Sequence, residues 1–214
     1  METFELVIFY ISFCLSIAYP LLYLRSFDRN NKAFKIFTCY ILAIGIIQVL
    51  SRIVIKVFYF ESNLFLSHYY FILQFVLLSL FYHQLLNKRW IFYILGIVLV
   101  LLAAQYMGEP GLYYRYNSIG MFATQVTLVM YALIYMYQGL AGRKQFTIVN
   151  VGIFFYLLSS SLIFASGNLV FDINVPESFS DLLVEINKVL YLLFQILIFT
   201  EWYQNYRKPK PLLN

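Results

Sequence analysis

The chain has 214 residues, of which 62% are hydrophobic and only 12% charged, with a mean hydropathy of +0.76; soluble domains carry about a quarter charged residues. That balance belongs in a membrane and leaves almost nothing from which to build a soluble module, so a kinase, nuclease or other folded catalytic domain is excluded from this chain. The formal net charge of +5 does not point to nucleic acid, because the basic residues fall mostly in short connections between apolar runs, where they report topology.

A hydrocarbon core of about 30 Å takes roughly 20 apolar residues per helical crossing. Seven runs of that kind are predicted as helices, at about 4–24, 34–59, 64–86, 90–106, 117–138, 146–168 and 182–203. The expected fold class is therefore all-α, a polytopic transmembrane helical bundle of seven spans forming one domain over 1–214. The runs are too long and too evenly apolar for the alternation of an outer-membrane barrel. There is no defensible internal repeat and no inverted pair of broken helices of the transporter kind.

The first run follows Glu2 and Glu5 instead of a basic stretch and ends without an A-x-A site, so it is expected to remain as the first helix and not to be cleaved as a signal peptide. Cys14 lies in it and Cys39 in the second run, with no CxxC spacing and no adjacent histidine; both read as packing residues. Pro20 is the residue expected to kink the first helix. The second run, "GIIQVLSRIVIKVFYFE", carries Gln48, Arg52 and Lys56 at four-residue spacing. The third opens "LSHYYFILQ", with His68, Tyr70 and Gln74. The fourth, "WIFYILGIVLVLLAAQY", is apolar on every face and is expected to meet lipid. The fifth bears a seam of Asn117, Gly120, Thr124 and Thr127 suited to helix contact. Ser159, Ser160 and Ser161 in the sixth lack a GxSxG frame and read as helix-to-helix bonds. The seventh, "DLLVEINKVLYLLFQ", aligns Asp181, Glu185, Lys188 and Gln195 along one face.

Charge sorts the connections. With seven spans Arg25, Arg29, Lys32, Lys35, Lys88, Arg89, Arg143, Lys144, Arg207, Lys208 and Lys210 share one side, where Asp28 and Glu201 are the only acids; Glu2, Glu5, Glu61, Glu109, Asp172, Glu177 and Asp181 share the other, with Arg115 as its only clear loop cation. The positive-inside rule then puts the N-terminus outside and the C-terminus in the cytoplasm. Trp90, Trp202, Tyr203 and Tyr206 fall at the cytoplasmic interface, where amphipathic rings anchor helices.

Counted from Lys35 at about 1.5 Å per residue, Arg52 lies about 25 Å up the second helix and Lys56 about 31 Å. Lys56 reaches headgroups, whereas Arg52 needs a partner or water. Lys188 and Glu185 fall in the same layer when counted from Arg207. A polar cluster in the outer third is therefore expected from helices 2, 3 and 7. Its ligand-binding candidates are Arg52, Lys56, His68, Tyr70, Gln74, Glu185 and Lys188. Two readings stay open: a salt-bridge network of Glu185 with Arg52 or Lys188 that fixes packing, or an outward pocket for an anionic or amphiphilic small molecule or a lipid headgroup. His68 and His83 are the only histidines, and no carboxylates accompany them at ligand spacing, so no metal is expected. No catalytic residue and no cofactor are expected. Retinal is set aside, because a seventh-helix lysine here has no third-segment carboxylate and no packing tryptophans beside it.

The length, the His68-Tyr69-Tyr70 start of the third helix and the polar outer end of the seventh resemble a loose group of small bacterial seven-helix membrane proteins of unknown function. That resemblance implies a companion of sensor or regulatory systems in the bacterial cytoplasmic membrane, and no catalytic residues. The chain is also similar in length to membrane lysoplasmalogenase-like enzymes, whose activity is associated with intramembrane acids; only Glu185 stands in such a place, with Glu185 or His68 as the general acid or base such an enzyme implies. The expected function is non-enzymatic, sensor- or receptor-like or accessory. Its expected partners are the bilayer, an amphiphile and a membrane or regulatory protein, with no nucleic acid. A transporter or channel subunit is the remaining alternative, and would continue its polar face through Gln74, Gln195 and Thr124.

Overall fold

A computed structural model describes residues 2–57, 64–114, 117–142, 144–165 and 177–207. These form seven α-helices: α1 (Glu2–Arg25), α2 (Lys32–Lys56), α3 (Leu64–Leu86), α4 (Trp90–Gly108), α5 (Ser118–Gly139), α6 (Thr147–Ala165) and α7 (Glu177–Asn205). A 3-10 turn, Pro110–Tyr114, joins α4 to α5. Five stretches are long and apolar enough to cross a membrane: Lys32–Ile55, Phe65–Leu86, Trp90–Gly108, Ser118–Gly139 and Asp181–Asn205. Tyr10–Arg25 and Thr147–Ile163 are shorter apolar helices. The described residues are thus all-helical, with the make-up of a multi-pass membrane protein.

Local chemistry sets several ends. The Asn31 side chain accepts from the Phe34 amide, 3.0 Å, to open α2, and Asn117 does the same for Gly120, 2.8 Å, to open α5; both asparagines satisfy an amide that the helix itself leaves orphaned. The helix α7 starts five residues before its apolar run, because its first turn, Glu177 to Ser180, is polar and invisible to a hydropathy count. The helix α1 continues through Pro20.

Contacts close a ring in the order α1, α2, α3, α5, α6, α7 and back to α1, with α4 outside it against α3. On α4 only Ile91 and Leu102 are buried, as suits a helix apolar all round. The ring is narrow where glycines sit. A Cβ on Gly152 of α6 would meet the Phe194 ring of α7 at 2.8 Å, and one on Gly45 of α2 would meet the Ser16 carbonyl of α1 at 3.1 Å. Without a hydrophobic driving force between helices in lipid, such close approach is what holds them.

The end of the bundle that carries the α2 and α6 N-termini is filled by rings. Phe37 packs on Phe81 at 5.2 Å and Phe146 at 5.6 Å, Phe34 on Tyr206 at 4.6 Å and on Tyr23 at 5.1 Å. All six are buried. Phe146 holds φ at 58°, a left-handed conformation rare for a bulky residue that turns its ring into this stack just ahead of α6.

Candidate functional site

Glutamine and tyrosine side chains converge in the middle of the ring. Tyr19 of α1, Tyr40 of α2, Tyr70 of α3, Tyr156 of α6 and Tyr191 of α7 are electrostatic neighbours of one another. Their phenols meet amides. Gln48 donates to Tyr191 at 2.5 Å, and Gln74 donates to Tyr40 at 3.2 Å. Tyr191 also lies within hydrogen-bonding reach of Tyr19 and Gln195, and Tyr70 within reach of Tyr156 and Gln74. Burying so many polar groups is costly unless they are partnered, and these phenols and amides partner one another. Gln195 donates from Nε2 to the Ser12 carbonyl at 3.0 Å, while its Oε1, fully buried, has no partner.

Arg52 stands at one end of this core. Its guanidinium lies over the Phe13 ring of α1 at 4.0 Å and interacts electrostatically with Tyr191. A cation on an aromatic face keeps part of its stabilisation where water is scarce.

The sequence candidates therefore distribute over three places. Arg52, Tyr70 and Gln74 come together around the tyrosine core. His68 is buried and faces α4 and the 3-10 turn: its Nδ1 shares a hydrogen bond with the Tyr106 hydroxyl, and the Tyr113 ring stacks on it at 5.6 Å and 16°. Tyr113 in turn shares a hydrogen bond of 2.9 Å with Tyr69, a bond that pushes the Tyr113 phenol above its ordinary range. Beside them Gln105 and Asn117 exchange two hydrogen bonds, 3.3 and 3.1 Å, tying α4 to α5.

Glu185 and Lys188 lie elsewhere, on a groove of about 250 Å³ between α1 and α7 whose other walls are Ile8, Leu182, Ile186, Val189 and Leu190. One helical turn along α7, about 4.5 Å, separates Lys188 from Tyr191. The side chain of Lys56 lies outside the described residues. Helices 2, 3 and 7 thus meet through Gln48, Arg52, Tyr70, Gln74 and Tyr191, with His68 turned toward α4 and with Glu185 and Lys188 lining the groove.

Two features escape the sequence reading. One is the tyrosine set, whose signal was present as Tyr70-x-x-x-Gln74 and Tyr191-x-x-x-Gln195, an identical pairing at i, i+4 on two helices. The other is Glu201, counted with the inner-surface charges. It is buried, accepting from the Ile148 amide at 3.0 Å, the Val149 amide at 3.3 Å and Asn205 Nδ2 at 2.7 Å. A carboxylate at a helix N-terminus satisfies orphan donors and complements the dipole, so Glu201 fastens α7 to the start of α6. Tyr206 beside it is held well above the ordinary phenol range, by burial first and by the Glu201 charge second.

Among the described residues no group of three His, Cys, Asp or Glu side chains is placed to hold a metal. The chemistry on offer is therefore phenol and amide hydrogen bonding, one guanidinium, and a groove with a cation at its rim. No family model, no curated protein and no solved structure matches the chain.

Proposed function

We propose that the chain is a seven-span protein of a bacterial cytoplasmic membrane, with its N-terminus outside. In this reading it works without catalysis, as a sensor-like or accessory component of a signalling system that binds an anionic amphiphile in the outer leaflet. The apolar groove between α1 and α7, with Lys188 and Glu185 among its lining side chains, supports the reading best. An acyl chain lies against Ile8, Leu182, Ile186 and Val189, and the headgroup meets the exposed Lys188 near the level of Arg52. Pockets of this kind bury mostly apolar surface and orient their ligand with a few placed charges. A hydrolytic alternative would need Glu185 or His68 as its general acid or base; His68 shares a hydrogen bond with Tyr106, and Glu185 lines the α1 and α7 groove.

Native mass spectrometry of protein extracted in mild detergent tests this. The wild type is expected to carry a defined anionic lipid or amphiphile that Arg52→Ala/Lys188→Ala loses while remaining monodisperse. A wild type that carries nothing specific, with a double variant that only loses stability, would make these charges packing elements and end the ligand reading.

A further inference from the structure

The start of α3 and the 3-10 turn carry rings that the fold does not bury. Tyr69 is 50% exposed and Tyr114 80%, and the half-buried Tyr113 meets both. Tyrosines at the end of a span are ordinarily independent anchors at the interface. Here they are locked to one another. Tyr113 stacks on the buried His68 at 5.6 Å and 16°, which fixes its plane. Its hydroxyl shares a hydrogen bond of 2.9 Å with that of Tyr69, so these two rings are tied at their tips. Their planes stand at 89° with centroids 6.4 Å apart, and Tyr114 stands at 85° to Tyr113 at 5.7 Å.

Perpendicular faces make corners, and a corner selects by shape. A flat ring stacks on one wall and runs into the next, whereas a compact tetrahedral group touches both. A cation resting about 4–4.5 Å from each of two perpendicular faces puts their centroids about 6 Å apart and lies within reach of cation–π attraction. Both ring pairs have that spacing. The walls also select by chemistry. The Tyr69 and Tyr113 hydroxyls are engaged with each other, so the corner offers π faces, which suit a cation with no N–H to satisfy. Glu109, four residues before Tyr113, is exposed and adds negative charge at the head of the turn. Walls already fixed in place lose little freedom when a ligand arrives.

We propose that Tyr69, Tyr113 and Tyr114 form an aromatic cage for a quaternary ammonium group, assembled from the start of α3 and the turn after α4. The group is carried either by a lipid headgroup or by a free solute, and the cage reads the same trimethylated cation in both. It stands apart from the groove between α1 and α7, so it neither needs nor tests the amphiphile reading.

Isothermal titration of choline into the protein in lipid nanodiscs tests it. Choline is expected to bind, and its neutral carbon analogue, in which a tert-butyl group replaces the trimethylammonium, should bind roughly tenfold more weakly. Tyr114→Leu should weaken choline by a similar factor, whereas Tyr114→Phe keeps the ring face and should keep the affinity. Tyr93→Leu removes a tyrosine on α4 that is 71% exposed and should change nothing. These are surface rings, so the variants leave the fold intact. Discs of phosphatidylethanolamine and of phosphatidylcholine, each with the same fraction of phosphatidylglycerol, separate the two sources. Choline binding that weakens in the phosphatidylcholine discs assigns the cage to a lipid headgroup, and equal binding in both assigns it to a free solute. No binding, equal affinity for choline and its neutral analogue, or unchanged affinity in Tyr114→Leu would leave these tyrosines as interfacial anchors and overturn the proposal.

Discussion

Glu201 shows how much one side chain can hold in a protein whose helices gain little from apolar burial against each other. It joins α7 to two amides at the start of α6 across more than fifty positions of sequence. Replacing it with alanine strands those amides in a buried place, at an expected cost of roughly 1–3 kcal/mol. Glu201→Gln keeps an oxygen that can accept and should lose less. Denaturation in mixed micelles measures both, and a Glu201→Ala protein as stable as wild type would mean that the carboxylate does not fasten these helices. Nothing local in the sequence signals this role, since Glu201 follows a long apolar run and reads as one more interfacial charge. The Tyr-x-x-x-Gln pairs were more legible, because i, i+4 spacing alone puts phenol and amide on one helix face.

Between helices, glycines separate contact from surface. Gly152 faces α7, where an added Cβ would stand 2.8 Å from Phe194 and 3.1 Å from Leu197, whereas Gly96 on α4 has nothing within 4 Å. Gly152→Ala should therefore lower stability by about 1–3 kcal/mol through overpacking, less the gain of about 1 kcal/mol from better helix propensity. Gly96→Ala should show the propensity gain or no change. Parallel unfolding curves of the two variants check this pair, and equal effects would mean that α6 and α7 do not approach as closely as described. The positions of the elements were readable from apolar runs alone, to within a few residues at most ends. Their neighbours were not. His68 meets Tyr106 and Tyr113, because the rotation of α3 about its axis depends on α4 and the 3-10 turn, which a periodicity count of α3 does not contain.

At the scale of the molecule, the ring of six helices with α4 outside puts the connections at Asn87 and Gly142 on one end and the Pro110–Tyr114 turn, with Glu109 before it, on the other. Charge sorting then predicts that cysteines at Asn87 and Gly142 label only from the cytoplasmic face and one at Glu109 only from outside. Labelling of Asn87 and Gly142 from opposite faces would sink the seven-span arrangement. The same division into ends gives the bundle a polar interior beside Arg52 and an aromatic one around Phe37 and Phe146.

By itself the sequence determined that this chain is helical and suited to a membrane, where its long apolar runs lie, and which connections are basic. Those properties follow from run length and from the charge of short connections, which are local and need no knowledge of neighbours. Only the tertiary structure decided that five tyrosines from five helices share one core, that α4 stays outside the ring, that Glu185 and Lys188 lie on a groove away from His68, and that Glu201 is buried at the start of α6. These depend on how each helix is turned about its axis, which is set by glycine contacts, ring packing and hydrogen bonds between residues far apart in the chain.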